Sequence, residues 1–508
     1  MTAYPDADFS SSRACFGELV SSLSGTETAA LDHEEVERII NSDGLELMRR
    51  LMQDHLELRA RREEESREPT RGSDGEVRPE RRRSSRQLGT LFGDVEVRRL
   101  ALFKRGVSGG LRPLDAELNL PVAKHSHGVA REVAWGVAQG SFESTVVNIR
   151  RTTGSTIGKR QAEELAVSLA VDFEDFYLER PQEPVGSGYL LVLSFDGSGV
   201  VMLPEALRSA TRKRAERDTR RRTTAETAAS VGQRPVRKNR KRMAEVAAVY
   251  ELEAVPRSPD DILRSLDRSG PHKPRPKAKN KRVWASVERP VHDVVDEAFI
   301  EASMRDEALQ RRWVAVVDGN KDQLARIHAM SRNLGVQVTI VLDFIHVLGY
   351  LWHAAKAIEG GDREATEAWV DERARRILRG ESSGVAAGMR RAATHRELSG
   401  KAREAIDDCA RYLLNNKQYL RYHEYLRDGL PIASGVIEGA CRSLVKDRMD
   451  ITGARWGLQG AEAVLKLRSL RASGDLDRYL EFHFEGELHR NHLENFHEDE
   501  LVPLREAA

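Results

Sequence analysis

Tyr189-Leu-Leu-Val-Leu-Ser-Phe-Asp-Gly197 is an almost unbroken apolar run that stops at an Asp-Gly pair. A strand covered on both faces has no polar side to display, so continuity without alternation marks a central strand of a layered sheet. Reading outward, Ala244–Leu252 and Arg282–Val287 are two further β-rich runs. Helical spacing then predicts a helix over Val291–Arg311, and Trp313–Val317 reads as a strand ending at Asp318-Gly319. A helix over Lys321–Asn333 and a strand over Val336–Leu342, ending at Asp343, complete the series. Strands alternating with helices in this way predict an α/β architecture with a mixed sheet and flanking helices.

The flanks of this region are helical. Leu31–Ile40 and Gly44–Leu58 carry apolar residues at three- and four-residue spacing, so residues 1–58 read as N-terminal helices. Residues 59–87 are rich in Arg, Glu, Ser, Pro and Gly, the composition of a flexible charged linker. Residues 88–180 read as a mainly helical DNA-binding domain, opened by a strand pair over Leu88–Leu102 that turns at Gly93-Asp94. Within it, Ser141–Ile149, the turn Thr152-Thr153-Gly154 and Ser155–Leu169 form helix, turn, helix, with Ser155 as N-cap and Lys159 and Arg160 near the second helix start. An ordinary helical hairpin has the same pattern. Beyond the α/β core of 189–348, residues 349–427 read as an all-α insertion, 428–485 as a returning helical segment that completes the core, and 486–508 as a tail.

The chain has 508 residues, 40% hydrophobic and 32% charged, enough for several domains with sizeable cores. Its net charge of +1 conceals strong local bias. Residues 208–242 hold 14 Lys or Arg against three acids, and 268–282 hold seven basic residues and no acid. Both insertions lie between early strands of the core, where positive arms would neutralise phosphates. Lys238, Arg240, Lys241 and Arg242 are the DNA-contact candidates in the first of them. The three cysteines, Cys15, Cys409 and Cys441, lack zinc-knuckle spacing, so no zinc is expected and a reduced cytoplasm fits. There is no apolar run of membrane-spanning length and no Walker-type phosphate loop, so neither membrane nor nucleotide cofactor is expected.

Asp196, Asp318 and Asp343 each close an apolar strand. One such Asp usually forms a turn or caps a helix. A set at one sheet edge can hold Mg²⁺ while leaving positions open for water and phosphate oxygens. Two such ions about 3.5–4 Å apart suit in-line phosphoryl displacement. Glu438, in Ala433-Ser-Gly-Val-Ile-Glu438, lies in the first turn of a later helix, with Arg442 and Lys446 four and eight residues on. Helix-dipole complementarity alone would give the same charge order.

The blocks Leu193-Ser-Phe-Asp-Gly-Ser-Gly-Val-Val-Met202, Val316-Val-Asp-Gly-Asn-Lys321, Ile340-Val-Leu-Asp-Phe-Ile-His346 and Ala433–Glu438 resemble transposases of the ISKra-four insertion-sequence family. So do Leu444-Val-Lys-Asp-Arg-Met449 and the stretch ending in Arg455-Trp456, and the likeness covers about residues 90 to 485. The resemblance implies a bacterial DNA transposase with an Asp-Asp-Glu triad on a ribonuclease H-like catalytic core, whose element order matches the one above. It also implies two Mg²⁺ or Mn²⁺ ions. The partners would be double-stranded DNA, as element terminal repeats and target, and further copies of the chain. The related Mutator-like transposases place the second Asp in an Asp-Gly after the fourth strand. That favours Asp196, Asp318 and Glu438 as metal ligands, with Asp343 as the alternative second Asp. Asp343 and His346 then support the ligands, and Arg442, Lys446, Arg455 and Trp456 are candidate DNA contacts by adjacency. Trp352 and Trp369 in the insertion read first as core residues.

Overall fold

A computed structural model of the chain describes residues 9–66, 68–181, 186, 188–226, 240–267, 276–358, 362–451 and 453–498. It divides into two compact units, one of residues 1–178 with 474–508, the other of residues 179–473.

The first unit opens with α1 (Ser10–Leu23) and α2 (His33–Ser66). Two short paired strands follow, β1 (Thr70–Arg71) and β2 (Val77–Arg78), then the hairpin β3 (Glu80–Thr90) and β4 (Gly93–Phe103). Helices α3 (Pro113–Glu117), α4 (His127–Gln139), α5 (Phe142–Thr152), α6 (Lys159–Ser168) and α7 (Phe173–Glu179) come next, and the helix Leu476–Asn491 returns from the far end of the chain. Met52 and Leu56 of α2 pack on Leu88, Val95 and Val97 of the hairpin.

Four expectations are corrected here. The two N-terminal helices are one, with Gly44 inside it. The charged stretch 59–87 is largely regular structure, because its charges are used internally. Glu63 accepts the backbone N–H of Leu100 (2.7 Å) and Leu114 (3.0 Å), and the buried Arg78 pairs with Asp74 at 2.6 Å. Finally, β3 turns into β4 at Leu91-Phe92, since Thr90 pairs with Gly93. In the helical pair, Gly158 and not Ser155 is the N-cap of the second helix, where its N–H donates to the Gln161 side chain at 3.0 Å.

The second unit carries the α/β core. Its strands and helices are β5 (Tyr189–Val201), α8 (Ser209–Glu226), β6 (Lys241–Glu253), α9 (Pro259–Asp267), β7 (Lys279–Ser286), α10 (Val291–Arg305), β8 (Trp313–Val317), α11 (Lys321–Leu334) and β9 (Val338–Leu342). The five strands form one mixed sheet in the order β7-β6-β5-β8-β9. β5, β6 and β7 pair antiparallel, whereas β5, β8 and β9 run parallel, their crossovers made through α10 and α11. Leu190–Phe195 and all of Trp313–Val317 are buried, as continuous apolar strands demand. Helices α12 (Phe344–Ile358), α13 (Arg363–Leu378), α14 (Ser382–His395), α15 (Gly400–Asn415) and α16 (Tyr422–Arg427) form the all-α insertion. Trp369 is buried in it beneath the Arg373 guanidinium, while Trp352 is half-buried. The chain returns through α17 (Gly435–Ala440), a π-helical segment Cys441–Lys446, α18 (Asp447–Met449) and α19 (Leu458–Ser473). Among the described residues no helix is long and apolar enough to cross a membrane.

Candidate metal centre

Parallel strands that share a direction deliver the residues after them to one edge of the sheet. Asp196 does not end β5, as the sequence suggests, but lies within it, because β5 runs on to Val201 in its hairpin with β6. Its pairing with β8 stops at Ser194–Val316, which leaves Asp196 just beyond the end of the shorter strand. Asp318 follows β8 directly. Gly319 makes the turn at φ +96, a left-handed conformation open to glycine, and the Asn320 side chain then caps α11 through Asp322 N–H at 2.9 Å. His346 stands in the first turn of α12, after β9.

One ligand atom each from Asp196, Asp318 and His346 can be chosen so that all lie within 4.8 Å of one another. The two carboxylates are half-buried and the imidazole is exposed, so the group faces solvent from a walled floor. Asp196 Oδ1 accepts its neighbour Gly197 N–H at 2.7 Å, and the Cys441 thiol donates to Oδ2 at 3.3 Å. Asp318 Oδ1 accepts Asn320 N–H at 2.8 Å. The Tyr412 hydroxyl of α15 donates to the Asp318 carbonyl at 2.9 Å, and its ring stacks on Tyr350 at 4.0 Å. Each carboxylate thus accepts a backbone N–H from a residue just after it, and Asp196 also accepts the Cys441 thiol.

A cavity of about 320 Å³ contains this group, and Asp343, Glu438 and Lys446 also line it. Glu438, expected as the third ligand, is exposed on the cavity wall and is not one of the three clustered donors. Asp343 plays a different part. Its Oδ1 accepts Ile345 N–H (2.7 Å) and its Oδ2 accepts Ser434 N–H (3.1 Å), so the buried carboxylate ties the start of α12 to the loop before α17. Burial pushes its pKa up; the two backbone donors and His346 pull it back, and Glu438 adds to the rise.

Two further groups were not signalled as site residues. Glu245 of β6 sits opposite Gly197, and burial raises its pKa, with the charges of Asp318, Asp196 and Asp322 adding to the rise against Arg208. In the sequence Glu245 is one of three acids in β6, and nothing local sets it apart from Glu251 and Glu253. Cys441 is buried and donates its thiol to Asp196; burial and then that carboxylate push its thiol up.

The expected DNA contacts divide by what already occupies them. Trp456 is buried, donates its indole N–H to the Met449 carbonyl (3.2 Å) and lies under the Arg448 guanidinium. Its backbone also bridges Met202 at the end of β5, so it is a structural residue and the expectation is corrected. Arg242 is likewise used internally, donating to the carbonyls of Val287, Ala206 and Glu288. Arg240 donates to the Ala215 carbonyl at 2.9 Å, and Lys241 lies 3.5 Å from Asp450. Lys159 pairs with Glu143, and Arg160 with Glu164 at 2.9 Å. Arg442, Lys446 and Arg455 are exposed. The shared face expected for Glu438, Arg442 and Lys446 is broken by the π-helical segment, whose wider turn shifts the register. Lys446 lines the cavity with Glu438 and Arg442 does not. Lys238 lies outside the described residues, as do 227–239 and 268–275 of the two basic insertions.

Comparison with family models and with curated proteins gives no match to this chain.

Proposed function

We propose that this chain is a metal-dependent DNA transposase, cutting phosphodiesters at the ends of its element and joining them to target DNA. The observation that carries the reading is the approach of Asp196, Asp318 and His346 to within 4.8 Å at one edge of the sheet. The strand order adds support: three antiparallel strands followed by two parallel ones, β7-β6-β5-β8-β9, is the arrangement of a ribonuclease H-like core. A fold hosts many chemistries, so the site and not the topology bears the argument.

Two carboxylate oxygens and an imidazole nitrogen suit a hard or borderline divalent cation such as Mg²⁺ or Mn²⁺. Asp196, Asp318 and His346 would hold it, and Glu438 in the same wall would complete a second position. Such ions supply Lewis-acid polarisation of the phosphodiester and of the attacking oxygen. The chain's own groups do the rest. The Lys446 ammonium offers a point charge to a phosphate in the cavity, and the exposed Arg212, Lys213, Arg214 and Arg217 of α8 add sequence-independent attraction for the backbone. Asp343 holds the beginning of α12, and with it His346, against the loop that leads to Glu438. Dimeric or higher assembly on DNA follows from the need to bring two ends together.

The test compares wild type, Asp318→Ala and Asp343→Ala on linear DNA carrying the native element ends, with Mg²⁺ or Mn²⁺. Cleavage and joining by wild type are expected, with Asp318→Ala reducing both by about a thousandfold or more. Asp343→Ala is expected to lose thermal stability and to reduce activity by a smaller factor than Asp318→Ala, because Asp343 positions His346 without itself belonging to the donor cluster. Cleavage without joining would make the chain a nuclease of the same chemistry. Tight DNA binding with no metal-dependent cleavage would overturn the catalytic reading.

A further inference from the structure

The first unit encloses a cavity of about 330 Å³ with an unbalanced charge. Three guanidiniums line it, those of Arg86, Arg99 and Arg112, against one carboxylate, Asp115. The Arg99 side chain is 10% exposed and lies 3.0 Å from Asp115 through Nε, yet among the described residues nothing accepts from its Nη1. Arg86 turns its Nη atoms to the carbonyls of Pro121 and Val122, and its buried Nε is also left without an acceptor. Burial lowers the pKa of both arginines, a sign that the folded chain has removed these charges from water without full repayment. A further acid felt by Arg99, Glu63, lies outside the cavity lining, and its oxygens accept the N–H of Leu100 and Leu114.

A buried donor with no acceptor is costly unless an anion completes the site, and the half-buried Arg86 and exposed Arg112 add positive charge at the same cavity. The geometry points to an oxyanion site in this cavity that takes a phosphate monoester, the end group of a nucleotide or of a DNA strand. The guanidinium fork matches tetrahedral phosphate oxygens, and a dianion matches the balance of three arginines against one aspartate around the cavity better than chloride or a single carboxylate would. The volume lies at the lower end for small-ligand sites, and Asn491 with Phe496 provides an amide and a ring edge for the group that carries the phosphate.

The test is calorimetric titration of the full-length chain, at fixed ionic strength and without divalent cation. The probes are inorganic phosphate, 5′-deoxyadenylate, and one oligodeoxynucleotide with and without a 5′-phosphate. Saturable phosphate and deoxyadenylate binding is expected, weakened about tenfold or more by Arg99→Gln. Arg112→Gln, on the exposed side of the cavity, should weaken it by a smaller factor and keeps the test decisive if Arg99→Gln does not fold. A 5′-phosphate that tightens oligonucleotide binding, with the gain lost in Arg112→Gln, assigns the site to strand ends. Deoxyadenylate binding with no such gain assigns it to free nucleotides. Absence of phosphate binding, or binding equal in wild type and Arg112→Gln, overturns the proposal. None of these results depends on the metal centre, so the two readings fail separately.

Discussion

Asp318 and Asp343 both follow a buried parallel strand, and their surroundings separate them. Asp343 commits both oxygens to backbone N–H groups in a buried place, whereas Asp318 commits one and is half-buried beside Asp196. A carboxylate already satisfied by two donors gives up those bonds to take a cation, which makes it the poorer ligand. His346 has the opposite character, exposed and within reach of both Asp196 and Asp318. Its replacement by Ala is expected to lower divalent-cation affinity at least about tenfold, the scale on which even outer-shell partners act. Titration with Mn²⁺ measures this, and an unchanged affinity would remove His346 from the donor set.

At the scale of elements, the segment from α17 to Trp456 joins the cavity wall to the end of β5. Ser434 caps α17 by accepting Ile437 N–H at 3.2 Å, and Trp456 closes the segment with backbone bonds to Val201 (3.2 Å) and Leu203 (2.8 Å). Because the Trp456 ring is buried, Trp456→Ala should cost about 3–5 kcal/mol of stability while leaving the DNA affinity of the folded fraction unchanged. Arg455→Ala, at an exposed neighbour, should do the reverse: no change in melting temperature and weaker DNA binding. A stable Trp456→Ala protein with impaired binding would return the ring to the DNA surface. The π-helical turn belongs to the same element. It spans Cys441–Lys446, and of the two basic residues in it Lys446 lines the cavity with Glu438 while Arg442 does not.

Across the whole molecule, charge is arranged in two ways. In the core of the second unit, Glu301 is fully buried among Arg180 (3.1 Å), Arg282 (2.7 Å) and Arg305. Burial alone would raise its pKa, but the three guanidiniums hold it down to about 2. A depressed carboxylate contributes stability above its unfolded pKa and loses it as pH falls through the folded value. Wild type should therefore weaken between about pH 4.5 and pH 2, more steeply than Glu301→Gln, which starts about 3–5 kcal/mol less stable because the arginines lose their partner. Parallel acid-unfolding curves for the two proteins would contradict this. On the surface, α8 presents Arg212, Lys213, Arg214 and Arg217. If they contact backbone phosphates, replacing all four by Gln should reduce the slope of log K against log salt by up to about 3.6, at 0.9 per phosphate lost. An unaltered slope would place α8 away from bound DNA.

The five strands and the helices α10 and α11 are legible in the sequence in their order, because helix and strand periods are local and the apolar runs of β5, β8 and β9 admit few alternatives, whereas α8 lies in a stretch read as a basic insertion and α9 left no reading. The Asp318-Gly319 turn was legible for the same reason, since a glycine at positive φ and an Asn cap leave a local mark. Misread were the features in which a polar residue is satisfied by something distant. The charged stretch 59–87 is structured in part because Glu63 accepts the distant N–H groups of Leu100 and Leu114, Arg242 donates to the far Val287 carbonyl, and the Trp456 backbone is bonded to Val201 and Leu203. Only the tertiary structure decided the composition of the site. Strand order places Asp196, within β5 just beyond its pairing with β8, beside the residues that follow β8 and β9, so His346 joins Asp196 and Asp318, with Glu245 and Cys441 close behind. Residues so far apart in the chain meet only where the sheet brings them, and no local pattern records that distance.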